Sequence, residues 1–113
     1  MIKVKRIYET ATDSDGYRIL VDRLWPRNMT KDHAAIGIWM KDLAPSTELR
    51  KWFNHEVEKW PEFEQKYKAE LKAKQQYLQQ LRQLEKEHGT ITLLYAAKDE
   101  KHNNVQVIVE WLQ

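Results

Sequence analysis

Two polar clusters follow the two most apolar runs of the chain, and they are where the sequence concentrates groups able to do chemistry. The first run, Tyr17-Arg18-Ile19-Leu20-Val21, gives way to Asp22, Arg23, Trp25 and Arg27. The second, Thr90 to Ala96, gives way to Lys98, Asp99, His102 and Asn103. Arg23 and Arg27 are planar, permanently charged donors suited to clamping a phosphate or carboxylate through paired hydrogen bonds. Trp25 and Trp39 supply flat apolar walls, and Lys41 with Asp42 follows Trp39 closely. Asp22, Lys98 and His102 are the acid/base candidates, histidine being the side chain that ordinarily titrates near neutrality. Asp99 and Asn103 complete the ligand-binding candidates of the second cluster.

Each group has a structural reading beside the functional one. Asp22 reads functionally as a base or as a gate that repels anions, but a carboxylate at a strand end is more often a satisfied ion-pair partner, here for Arg23 or Lys98. Arg23 and Arg27 serve equally to fasten the Trp25-Pro26 loop to nearby carbonyls. Lys41–Asp42 reads as a surface pair worth at most about 1 kcal/mol. His33, His55, His88 and His102 have no regular spacing, so no metal site is read from them, and no cofactor is implied. With three glycines in 113 residues there is no G-x-G-x-x-G fingerprint, no P-loop and no nucleophile elbow.

The elements that must carry these groups belong to one domain, a length of 113 residues being typical of one core. A nearly unbroken apolar run is the mark of a strand covered on both faces, and such strands belong to α/β folds. Ile2 to Tyr8 alternates apolar and basic residues and reads as a further strand. Its pairing with the next is left open, because an eight-residue connector is short for a parallel crossover. Thr30 is placed to cap a short helix through Ile36, with Gly37 as its terminator, and Ile38-Trp39-Met40 reads as a brief strand. Ser46 caps a segment whose Leu49, Trp52 and Phe53 fall at helical spacing.

From Pro61 to about His88 the apolar stripe Phe63, Tyr67, Leu71, Leu78, Leu81 and Leu84 predicts one long helix ended by Gly89. At 1.5 Å per residue it would run roughly 40 Å, so it must bend or project. Val105 to Leu112 fits either a helix or a strand, and a buried parallel strand normally returns through a helix, so we read it as one. The fold expectation is a single α/β domain over residues 1–113, a small mainly parallel sheet flanked by helices. In such sheets ligands bind beyond the carboxyl ends of the strands, and if the two apolar strands are parallel neighbours, both polar clusters share one rim.

Composition narrows the function classes. The absence of cysteine excludes disulfide scaffolds, thiol catalysis and cysteine zinc sites. No run reaches the 18–20 apolar residues of a membrane helix, and no apolar segment follows the basic N-terminal residues, so a cytoplasmic location without membrane association is expected. Nineteen basic against seventeen acidic side chains, with glutamates interleaved among the helical lysines, disfavour a nucleic-acid partner.

Four ordered motifs are specific. Gly16-Tyr17-Arg18-Ile19-Leu20-Val21-Asp22-Arg23-Leu24-Trp25-Pro26-Arg27, Trp39-Met40-Lys41-Asp42-Leu43-Ala44-Pro45-Ser46, Leu49-Arg50-Lys51-Trp52-Phe53 with His55, and Leu93-Leu94-Tyr95-Ala96-Ala97-Lys98-Asp99 with His102-Asn103 resemble the YeaO-like family of unknown function. The resemblance implies a small bacterial cytosolic α/β domain. Asn28 stands where such sequences usually have glycine, which implies a different turn after Arg27. Larger relatives carry cysteines near the second cluster, so any thiol-dependent role of theirs does not transfer to a chain without them.

The leading functional expectation is a pocket for a small anionic or nucleotide-type ligand at the strand carboxyl ends, with enzymatic chemistry left open. The alternatives are a non-catalytic interaction module or homo-oligomer using the long helix through Tyr77, Leu78 and Leu81, and a weak association with nucleic acid.

Overall fold

A computed structural model describes residues 1–113. The strands are β1 (Ile2–Arg6), β2 (Tyr17–Leu20), β3 (Ile38–Trp39) and β4 (Ile91–Tyr95). The helices are α1 (Lys31–Ala34), α2 (Thr47–Phe53), α3 (Trp60–Lys72), α4 (Gln75–His88) and α5 (Asn104–Leu112). All strand pairs are parallel, in the order β1-β4-β2-β3. The two apolar runs are thus parallel neighbours, as the shared rim requires, and every residue of β4 is buried.

The open pairing resolves simply. β1 and β2 do not touch each other but flank β4, so their short connector crosses one face of a strand inserted later in the sequence. That face is thin. Lys3 donates to the Ser14 carbonyl and Lys5 to that of Thr10, drawing the connector onto the sheet. Beneath it, buried Asp15 accepts from Arg18 at 2.7 Å and from Lys5 at 3.1 Å, and the Thr92 hydroxyl donates to the Asp15 carbonyl. Further along, Leu20 and Leu94 of the same face meet Ile7, Met29 and Ala34. The opposite face, with Ile19, Val21, Ile91, Leu93 and Tyr95, carries the main core with α2 to α5.

The long helix read over 61–88 is two helices. The chain changes direction at Ala73 and Lys74, where the hydrogen bonds shorten to the i−3 carbonyls of Glu70 and Leu71. The molecule's longest dimension is 36 Å, so a straight helix of about 40 Å would project beyond the body of the domain. The bend keeps Leu78 and Leu81 in the main core and Tyr77 packed against it, so the residues expected to pair outward face inward instead. Lys74 holds the bend by donating to the Ala44 carbonyl at 3.0 Å.

Caps follow the sequence at Thr30, Ser46 and Asn103, whose side chains accept from His33, Leu49 and Gln106 N–H groups. One terminator differs. Ala35, at φ 48°, ends α1 in the left-handed conformation, whereas Gly37 is needed because a Cβ there would lie 2.2 Å from the Tyr17 ring. Asn28 likewise sits at φ 57°, in the left-handed conformation that a glycine would adopt most easily. No helix is long and apolar enough to cross a membrane.

Candidate functional site

β2 delivers Asp22 and the loop from Arg23 to Arg27 to the carboxyl edge of the sheet, and β4 delivers Ala96, Ala97 and the approach to α5 beside them. Between these segments lies a cleft of about 470 Å³, inside the range of small-ligand sites. Its lining includes Asp22, Arg23, Trp25, Arg27, His102 and Asn103. The two clusters therefore do share one cavity. Lys98, Asp99, Trp39, Lys41 and Asp42 do not line it.

Those outer residues support the cleft instead. Trp39 donates its indole N–H to the Asp22 carbonyl at 2.7 Å and meets Trp25 edge-on at 5.5 Å. Lys41 lies over the Trp39 ring at 5.1 Å from its centre, and Asp42 is 3.9 Å from the Arg23 guanidinium. Asp99 sits behind His102, accepting from its Nδ1 at 2.9 Å and from the backbone N–H groups of Lys101 and His102. These donors hold the Asp99 carboxyl below the ordinary carboxylate range, the Lys101 N–H acting most strongly. The His102 ring, edge-on to Trp60, is thereby oriented toward the cleft by a carboxylate and an aromatic ring. Lys98 is exposed.

Arg23 is a strap. Its Nε and Nη2 donate to the Pro45 and Ala44 carbonyls, both at 3.1 Å, and fix the segment before α2 to the loop after β2. Tyr67 pins the same segment from α3 by donating to the Leu43 carbonyl at 2.6 Å. The loop is further closed by Trp25 donating to the Met29 carbonyl and by Tyr8 donating to that of Arg27. The wall of the cleft is therefore rigid by construction, with nearly every polar contact made to main chain.

What remains free is informative. Of six arginines, Arg6, Arg18, Arg23 and Arg82 are bonded to carbonyl or carboxylate oxygens. Arg27 and Arg50 have no hydrogen-bonding or ion-pair partner, both are exposed, and both line this cleft. Arg50 was not among the sequence candidates, nor were His55, Tyr8 and Asn104, which also line it. Arg50 and His55 stood inside the third motif with no role assigned to them, and only the docking of α2 beside the rim brings them in. His55 carries a signal of its own. It follows Asn54 with a second consecutive left-handed residue, φ 49° then 57°, a conformation that costs of order 1–3 kcal/mol outside glycine and recurs at functional sites.

Asp22 is the electrostatic centre. Its Oδ2 accepts from the Ala96 N–H at 2.8 Å, and no cation lies within ion-pairing distance, so neither Arg23 nor Lys98 serves as the expected partner. Burial pushes its carboxyl up to about 6, and the Ala96 N–H, the Asn104 amide and His55 only partly offset this. Asn104 is itself anchored by donating to the Val21 carbonyl at 2.8 Å. No group of three or more histidine, aspartate or glutamate side chains is placed to hold a metal ion.

This constellation sits in a chain whose full length, residues 1–113, matches the family model described as the inactive DUF488-N3 subclade. The chain belongs to that family. It is 46% identical over 112 residues to the uncharacterized protein YeaO of Escherichia coli (strain K12), covering 99% of this chain and 96% of that one. It is also 49% identical over 70 residues to the uncharacterized protein Rv3073c of Mycobacterium tuberculosis (strain ATCC 25618 / H37Rv), covering 62% of this chain and 59% of that protein. The YeaO-like resemblance thus holds from end to end. No solved structure matches the chain.

Proposed function

We propose that the chain binds a small oxyanion-bearing ligand, nucleotide-like in size and charge, in the cleft at the carboxyl ends of β2 and β4, and that it binds this ligand without turning it over. The observation that carries the reading is the placement of Arg27 and Arg50. They are the two arginines the fold leaves unpartnered, they come from different elements, and they line one cavity. A guanidinium–oxyanion hydrogen bond contributes about 1.5–3 kcal/mol, so two of them with apolar walls suffice for a specific small-molecule site. The start of α5 adds the positive end of a helix dipole at Asn103 and Asn104.

The description of the family as inactive supports binding over turnover. His102 with Asp99 behind it orients a ligand as readily as it would move a proton, and the cleft lining contains no serine, threonine or cysteine to act as a nucleophile.

Thermal-shift measurements with sulfate, inorganic phosphate, adenosine 5′-monophosphate and citrate test this. Saturation at about 100 times Kd adds roughly 2.7 kcal/mol, a rise of several degrees in Tm. The double variant Arg27→Gln/Arg50→Gln is expected to keep the ligand-free Tm and lose the rise. If none of the four anions stabilises the protein, or the double variant retains the full rise, the proposal is wrong.

A further inference from the structure

We infer that Asp22 is the proton partner of the bound ligand: the cleft takes an oxyanion of the sulfate or phosphate-monoester type only with the Asp22 carboxyl neutral, which then donates its O–H to a ligand oxygen. This rests on the anion-binding reading of the cleft and specifies how that site admits a negative charge.

The geometry is unusual for an anion site. A carboxylate lines the same cavity as the two free guanidinium groups, and it is not neutralised by either. Its one hydrogen-bond donor is neutral, the Ala96 N–H, and the Asn104 amide that also favours its ionised form is neutral too. An ionised Asp22 would confront the ligand across a cavity partly withdrawn from water, where two like charges cost several times what they do in solvent. Protonation removes that repulsion and turns an acceptor-only group into a donor. A neutral carboxyl donating an O–H hydrogen bond to an oxyanion in an apolar site is an established form of recognition.

The other charged or titratable groups around Asp22 define the competing explanations. Arg23, on its own segment, is committed to the Ala44 and Pro45 carbonyls, whereas Arg27 is free. From α2 and its exit come Arg50 and His55, and from α3 comes Tyr67, bonded to the Leu43 carbonyl. The approach to α5 contributes His102, backed by Asp99, and the exit of β1 contributes Tyr8, bonded to the Arg27 carbonyl. The arginines do not titrate in the relevant range, and both tyrosine hydroxyls are engaged. His55 and His102 are therefore the two alternative sites for a proton taken up with the ligand.

Sulfate is the suitable probe, because it does not itself titrate between pH 5 and pH 8. The deciding measurement is the side-chain carboxyl ¹³C titration of Asp22 in the native chain, with and without saturating sulfate. The expected result is an upward displacement of its midpoint on binding, with sulfate affinity falling about fivefold from pH 6 to pH 7 and about tenfold from pH 7 to pH 8. That fall is expected to persist in His55→Gln and His102→Gln and to vanish in Asp22→Asn. An Asp22 midpoint that sulfate leaves unmoved overturns the inference, as does a fall that survives in Asp22→Asn. The native-chain titration decides the matter even where that variant fails to fold. Failure of sulfate, phosphate, adenosine 5′-monophosphate and citrate alike to bind at any pH from 5 to 8 defeats the anion-site reading as well, failure of sulfate alone overturns the inference, and sulfate binding with an unmoved Asp22 defeats the proton coupling alone.

Discussion

Asp22→Asn is expected to make the protein more stable at neutral pH, an outcome opposite to that of most substitutions at a buried polar position. An ordinary aspartate titrates at 3.8, and burial raises Asp22 to about 6 in the folded chain. Between these values the folded state holds a proton that the unfolded state has released, so stability falls as pH rises through the interval. Above pH 6 the cost is fully present and amounts to roughly 3 kcal/mol, taking about 1.4 kcal/mol per tenfold difference in proton affinity. Asparagine carries no charge to desolvate, and its carbonyl oxygen still accepts from the Ala96 N–H.

The variant should therefore match the native chain at pH 4 and exceed it by up to about 3 kcal/mol at pH 7.5, less whatever its second amide proton costs if left without a partner. Urea unfolding followed by tryptophan fluorescence at the two pH values measures this, and every other titrating group cancels in the comparison between variants. A variant less stable than the native chain at pH 7.5, or a difference equal at the two pH values, would refute the reasoning.

Three further outcomes follow from other contacts. Asp15→Asn is expected to cost about 3–5 kcal/mol in urea unfolding, because it leaves Arg18 buried without its counter-charge, and Arg18 Nη2 already has no partner. Burial favours the neutral Asp15 carboxyl, yet Thr12, Lys5 and Arg18 hold it at about 2. Its contribution is accordingly complete above pH 4 and is lost as pH falls through 2. Arg23→Gln is expected to lower stability by about 1–3 kcal/mol through its two lost carbonyl bonds, whereas Arg27→Gln and Arg50→Gln each change it by less than about 0.5 kcal/mol. Equal losses at all three would show that Arg27 and Arg50 have structural partners after all. Gly16→Ala is expected to reduce Tm sharply, since Gly16 has φ 63° and an added Cβ would lie 2.2 Å from the Thr90 carbonyl oxygen; an unchanged Tm would mean that the β2 entry shifts freely.

How far these features can be read from sequence depends on the range of the interaction that sets them. The two central strands are legible because burial on both faces leaves a continuous apolar run in each, and the caps at Thr30, Ser46 and Asn103 because they act within one helical turn. The break at Ala73-Lys74 is only faintly legible. Both residues favour helix and neither is glycine or proline, and the one sign is a gap in the apolar stripe, where Lys74 and Gln75 stand between Leu71 and Leu78. What holds the bend is a carbonyl at Ala44, thirty residues away, which accepts from Lys74. The same distinction divides the site. Asp22, Arg27 and His102 could be placed at the rim from strand ends alone, whereas Arg50 and His55 depend on where α2 docks.

That division also explains why the functional reading rests on Arg27 and Arg50 rather than on every charged group near the rim. Arg23, Trp39 and Asp99 are polar or aromatic residues beside the cleft, yet each is accounted for by what it holds: two carbonyls, the Asp22 backbone and the His102 ring. A fold needs such contacts whatever it binds. It does not need two exposed guanidinium groups without oxygen partners, a half-buried carboxyl without a cation, and a histidine in a left-handed backbone conformation. Each of these is neutral or costly for stability taken alone, and local rules are commonly broken in this way where a site is kept at the expense of the fold. Here all three lie in one cleft of ligand size, so a single bound oxyanion arriving with a proton would satisfy the guanidinium groups and discharge the carboxyl together.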